Sequence, residues 1–230
     1  MKKVSFLMAT FCVALCMGLF SCNNSYEPND PSNSGIGNDN TNTPEEPKPT
    51  TGTENGHSWV DLGLSVKWAT CNIGAWKPEG YGNYYAWGET STKSEYTEDN
   101  YTYKESPNSA LPLIRDAAFA NWGGTWRMPT KYEIYELTSS CTWKWTTLNG
   151  VNGYEVKSKT NNNSIFLPAA GMYGSFSGLS SLGENGRYWS SELNSNSYEY
   201  SPCIDFSEMG FKSNYGYRRY LGNSVRAVCP

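Results

Sequence analysis

Few residues in this chain are equipped for chemistry. Its 230 residues include one histidine and seven cysteines. His57 sits beside Gly56 with no second histidine to relay a proton, so a Ser–His or Cys–His nucleophilic pair has nothing to build on. Cys71, Cys141, Cys203 and Cys229 are widely spaced, with no C-x-x-C and no histidine cluster near them, a pattern that does not match a zinc site. Carboxylates are plentiful, yet nothing in their spacing selects two for acid–base hydrolysis. The expectation is a protein that is not an enzyme and uses neither metal nor cofactor.

Cys22 is different, because its neighbours point to a modification. Lys2 and Lys3 precede an apolar run to Phe20, and Leu19-Phe20-Ser21-Cys22 then resembles a bacterial lipobox. The resemblance implies cleavage before Cys22 and attachment of a diacylglycerol and an N-acyl chain. Several acyl chains anchor stably, each buried CH₂ contributing about 0.8 kcal/mol. Residues 1–21 are therefore expected to be a lipoprotein signal peptide, and the partner at this end a membrane. Residues 22–56 are rich in Asn, Pro, Ser, Thr and acids and read as a disordered tether, its ends roughly 30 Å apart by coil statistics. Glu27-Pro28-Asn29 matches a sugar-binding signature of calcium-dependent lectins but falls in this tether, outside any fold.

Residues 57–230 read as one domain. Three of the 18 basic and six of the 22 acidic residues precede it, leaving 15 against 16 and a net charge of −1. Such a balance leaves no footprint for nucleic acid. An even set of four cysteines in an exported domain predicts disulfides, with three connectivities open. The helical spacing of Ile134, Leu137 and Cys141 favours Cys71–Cys141, which pairs Cys203 with Cys229 by elimination. Alternation along the strands runs mildly against that second pair.

The elements that position these residues are legible in outline. Trp122-Gly123-Gly124-Thr125-Trp126-Arg127-Met128-Pro129-Thr130 turns, plants two indoles and starts a helix. Thr130 and Glu133 form a capping box. Trp122, Trp126, Arg127, Thr130 and Glu133 are thus read as structural. A second, earlier helix is expected around Ala117-Ala118-Phe119. Short strands are expected at 60–62, 65–68, 84–87, 143–145, 154–156, 165–167, 188–189, 204–206 and 225–227, with Asn149-Gly150 as a hairpin turn.

Val60 through Ala75, Tyr84 through Glu89, Trp122 through Glu133, Ile165 through Gly171, Tyr188 through Ser191 and Ser224-Val225-Arg226 together resemble the Fibrobacter succinogenes major paralogous domain. The resemblance implies an α+β, C-type-lectin-like fold of short antiparallel strands and about two helices, rich in loops. It also implies an outer-membrane lipoprotein on the surface of a Gram-negative bacterium, such domains being common in gut Bacteroidetes. The fold is distantly similar to formylglycine-generating enzymes, which use a reactive cysteine pair; Cys203 and Cys229 are read instead as structural.

In lectin-like folds recognition falls on the long loops after the helical part, here Gly171 to Tyr220. Tyr173, Phe176, Tyr198, Tyr215, Tyr217 and Arg218 are the expected ligand contacts, because a ring offers contact area at low entropic cost and arginine adds charged hydrogen bonds. The functional expectation is a non-catalytic adhesion module for a glycan or surface protein. The alternative is an accessory subunit of a surface assembly such as a fimbrial tip.

The anchor gives a first testable outcome. Cys22→Ala is expected to abolish acylation and move the protein out of the membrane fraction. Mass spectrometry of the N-terminal peptide checks it, and an unmodified mature terminus, or one at another residue, sinks the assignment.

Overall fold

The computed structural model describes residues 50–104, 110–174, 178–194 and 197–230, all within the unit Glu46–Pro230. The signal segment, Cys22, the tether up to residue 49 and Phe176 lie outside the described residues. Strands β1 (Thr51–Glu54), β2 (His57–Val60) and β3 (Lys67–Ala69) come first. Helices α1 (Ala117–Trp122) and α2 (Lys131–Ser140) follow. Then come β4 (Cys141–Leu148), β5 (Val151–Ser158), β6 (Ser164–Pro168), β7 (Met172–Gly174), β8 (Gly178–Ser180) and β9 (Asn185–Trp189). β10 (Tyr200–Ser207), β11 (Gly210–Arg218) and β12 (Val228–Cys229) close the series. The sheets run β1-β2-β3-β12, β4-β5-β6, β7-β8 and β11-β10-β9, with every pairing antiparallel. The architecture is α+β, mostly β and loop-rich.

The fold begins before the boundary at residue 57. Residues 51–54, read as tether, pair with β2. The cause is Asn55-Gly56, whose φ values of +43° and +81° are the pair of positive angles a tight hairpin needs. The hairpin is fastened to the tryptophan unit. Trp126 Nε1 donates to the Glu54 carbonyl at 2.7 Å, and the Thr125 N–H donates to the Glu54 carboxylate at 2.9 Å. The His57 ring stacks on Trp122 with centroids 4.0 Å apart. The lone histidine is thus part of the packing, and burial lowers its pKa.

At the N-termini of α1 and α2 polar side chains cap the helices. Asp116 caps α1 through the N–H groups of Ala118 and Phe119 and also accepts from Met128 N–H at 2.8 Å. Thr130 and Glu133 make the reciprocal capping box. Arg127 holds the Glu133 carboxylate with both terminal nitrogens, at 2.8 and 2.5 Å.

Strands buried on both faces divide the interior into two cores. Along each, neighbouring residues point to opposite sides. Trp59, Ala69, Trp189, Cys203 and Cys229 enter a core built on Trp87 and Trp126. Val60, Trp68, Tyr188, Ile204 and Val228 enter a second, with Ile134, Leu137 and Val156. Two expected strands are absent. Tyr84–Trp87 has only a single bridge, Tyr85 to Asn223, and the final strand is Val228–Cys229 rather than 225–227.

The disulfide expectation is corrected as well: Cys71, Cys141, Cys203 and Cys229 are all free thiols. Cys141 serves the second core, while Cys203 and Cys229 serve the first, and Cys71 leaves β3 beside Thr70. Each buried sulfur packs as a small apolar group. Burial pushes the Cys141 thiol up to about 11 and the Cys203 thiol well above its ordinary value.

Residues 225–227 carry instead the least expected feature of the interior. Arg226 is 1% exposed, and among the described residues no carboxylate lies on its guanidinium. Nε donates to Asn72 Oδ1 at 2.9 Å, Nη1 to the carbonyls of Ala69 and Thr70 at 3.1 Å each, and Nη2 to the Phe166 carbonyl at 2.9 Å. Arg226→Met keeps most of the volume but orphans those four acceptors. It is expected to cost about 3–5 kcal/mol in urea denaturation, the range for breaking a buried charged network. A loss under about 1 kcal/mol would mean that this guanidinium is not a central tie.

Candidate functional site

The structure brings only part of the expected ligand set together. Tyr173 on β7 is packed: its ring meets Tyr84 edge-on at 5.0 Å and leans on Tyr96 at 5.4 Å. Its backbone exchanges bonds with Gly222 at 2.8 and 3.0 Å. Tyr217 is also engaged. Its hydroxyl accepts from Arg187 Nε at 2.6 Å, and the same guanidinium lies 4.9 Å over its ring. Arg187 in turn pairs with Asp205 at 3.2 Å. Tyr215 is 41% exposed and rests against Tyr217 and Lys212. Both Tyr215 and Tyr217 sit on strand β11, not on a loop.

Tyr198 and Arg218 are the two that converge. They share a cleft of about 240 Å³ with Tyr101, Tyr220, Lys104 and Glu199. Tyr198 is 67% exposed. Arg218 reaches Glu199 at 3.2 Å and lies 5.4 Å over the Tyr200 ring, an exposed pair that holds the guanidinium only loosely. Glu98 and Arg219 complete the lining, making three cations against two carboxylates.

The floor of this cleft is rigid for a physical reason. Arg219 is buried and donates to the carbonyls of Tyr198 at 3.0 Å and Tyr103 at 2.7 Å. Its guanidinium also lies 4.7 Å over Trp87 and 5.4 Å over Tyr101. Tyr101 donates its hydroxyl to the Trp87 carbonyl at 2.7 Å, and burial raises its pKa, so it stays a phenol. Arg219 is therefore scaffold, while Arg218 and Lys104 are the cations at the rim. Sequence reading missed Tyr101, Lys104 and Glu98. The available signal was the run from Tyr96 to Lys104, with three tyrosines among polar residues.

Chemically, the cleft combines aromatic faces, an exposed arginine and a lysine. That is equipment for holding a ligand with a flat apolar face and an acceptor group. Among the described residues no group of three His, Cys, Asp or Glu side chains can hold a metal ion.

Two variants separate packing from contact. Tyr173→Ala should cost about 2–4 kcal/mol of stability, because its ring closes the first core. Tyr198→Ala should stay within about 0.5 kcal/mol of the parent. Thermal and urea unfolding read both, and equal losses would remove Tyr198 from the exposed set. Comparison of the chain with protein-family models, curated proteins and solved structures finds no match.

Proposed function

We propose that this chain is a surface-exposed outer-membrane lipoprotein, anchored through Cys22, whose folded region is a C-type-lectin-like, non-catalytic binding module. The motif series from Val60 to Arg226 and the α+β, loop-rich architecture support the lectin-like reading. The observation that carries the binding role is the cleft where Tyr198 and Tyr220 stand beside Arg218 and Lys104 over a rigid floor. Aromatic faces next to unburied cations suit an acidic sugar, or a carboxylate on a partner protein.

The assembly reading has one observation in its favour. Among the described strands, the nine-residue β11 pairs only with β10, leaving its second edge without a strand partner, although α2 packs against it.

A glycan array that includes acidic saccharides tests the binding role, followed by titration of the strongest hit. Tyr198→Ala and Arg218→Ala should each weaken that ligand by about 1–3 kcal/mol without lowering the melting temperature. If both variants bind like the parent, this cleft is not the binding surface.

A further inference from the structure

A second groove, of about 380 Å³, shares no lining residue with the first and lies on the outward face of the β4-β5-β6 sheet. Register places it there. Lys144, Glu155 and Phe166 are cross-strand partners, and they point away from the core face that carries Trp143, Trp145, Tyr154 and Leu167. Phe166 is nevertheless buried, because its ring lies across Gly153, where a Cβ would come within 2.8 Å of it. The ring makes an apolar floor. Thr146, Ser164 and Thr70 bring hydroxyls to the walls, and Glu155 brings the single carboxylate.

The opposite wall is the loop that supplies Pro78. This loop is pinned. Ala75 N–H donates to the Asn72 carbonyl at 2.9 Å, Gly80 N–H to Lys77 at 2.9 Å, and Asn83 N–H to Ile73 at 2.8 Å. Asn149 at the hairpin tip donates to the Glu79 carboxylate at 3.0 Å and clasps the loop to the sheet. Beneath the groove, Arg226 fixes both Thr70 and Phe166 through their carbonyls. On this held loop, two residues before Pro78 and outside the groove's lining, Trp76 is 90% exposed. A bare indole on a constrained loop gives up about as much apolar area to water as any side chain can, and the fold recovers nothing from it.

We propose that this groove is a second binding site, and that it takes a neutral saccharide with Trp76 as its stacking platform. The lining decides the class. It contains one carboxylate and no cation, Lys144 beside Glu155 lying outside it, so it offers phosphates, sulfates and sugar acids no charged partner within the groove. Its hydroxyls and Glu155 match the paired donors and acceptors of a polyol, and Phe166 and Pro78 match the apolar C–H face of a pyranose ring. Its volume lies in the range of small-ligand sites, roughly 300–1,000 Å³. The site stands apart from the Tyr198–Arg218 cleft, so either reading can fail without the other.

The test titrates the full chain with lactose, maltose, cellobiose and mannobiose, and with sialyllactose as the acidic counterpart, by calorimetry and tryptophan fluorescence. At least one neutral disaccharide should bind and shift the emission. Trp76→Ala and Glu155→Gln should each weaken it roughly tenfold, with unchanged melting temperature. Thr146→Trp, on the groove face of β4, should block it, and Tyr198→Ala should bind like the parent. Absence of binding by all four, retention of binding in Trp76→Ala or Glu155→Gln, tighter binding of sialyllactose than of lactose, or loss in Tyr198→Ala each overturns the proposal.

Discussion

The structure depends on one buried cation. Removing a guanidinium from water costs several kcal/mol after relaxation, and a carboxylate is the common remedy. Among the described residues Arg226 has none, and burial draws its pKa below the ordinary arginine value. Neutral acceptors from two separate stretches hold it: Ala69, Thr70 and Asn72 at and just after the end of β3, and Phe166 on β6. Asn72 extends the network by donating to the Tyr81 carbonyl at 2.9 Å and to the Tyr188 hydroxyl at 3.1 Å. Tyr188 then donates to the Pro168 carbonyl at 2.7 Å, its phenol pushed up to about 12 by burial. One charge near the C-terminus thereby satisfies backbone groups that no ladder reaches. Segments too short to form long strands are fixed by it instead.

That economy explains how so many short strands make a stable interior. β3 has three residues and β12 has two, so ladder bonds alone cannot hold them. Each serves both cores, with Trp68 and Val228 on one side and Ala69 and Cys229 on the other. Neighbouring loops add single backbone bonds, such as Ala69 N–H to Ala227 and Ile73 N–H to Val225, at 2.9 and 3.0 Å. The same plan accounts for the free thiols. Sulfur fills volume where two faces meet, and the buried polar network supplies cross-chain ties.

Much of this was legible where the signal is local. The Asn149-Gly150 hairpin, the Thr130–Glu133 box and the small-residue helix before Trp122 rest on interactions within a few residues of each other. Asn55-Gly56 carries the same turn signal, but Thr and Gly around it resemble tether composition. Tyr84–Trp87 reads as a strand because it is aromatic, yet its backbone is satisfied one bond at a time, by Asn223 and Arg219. β11 escaped notice for the opposite reason: Lys212, Ser213 and Asn214 are polar, as an edge strand permits. The cleft of Tyr198 and the groove of Trp76 are assembled from segments distant in sequence, so only Tyr198 and Arg218 could be nominated beforehand. Arg226 could not be seen at all, since arginine is ordinarily a surface residue.

The hairpin at the start of the described chain has a mechanical consequence. Whatever precedes residue 50 is joined to this domain through β1, so tension along the chain is loaded first onto the β1–β2 ladder. Thr51 pairs with Val60 at the open end of that hairpin, and the turn lies at the far end. A pull from Thr50 therefore peels the ladder one rung at a time, a weak mode of resistance. The peel stops at Glu54 and Asn55, where Trp126, Thr125 and Trp122 hold the chain through side-chain bonds. β1 is thus placed to act as a short extensible leader that yields under load while both cores stay closed.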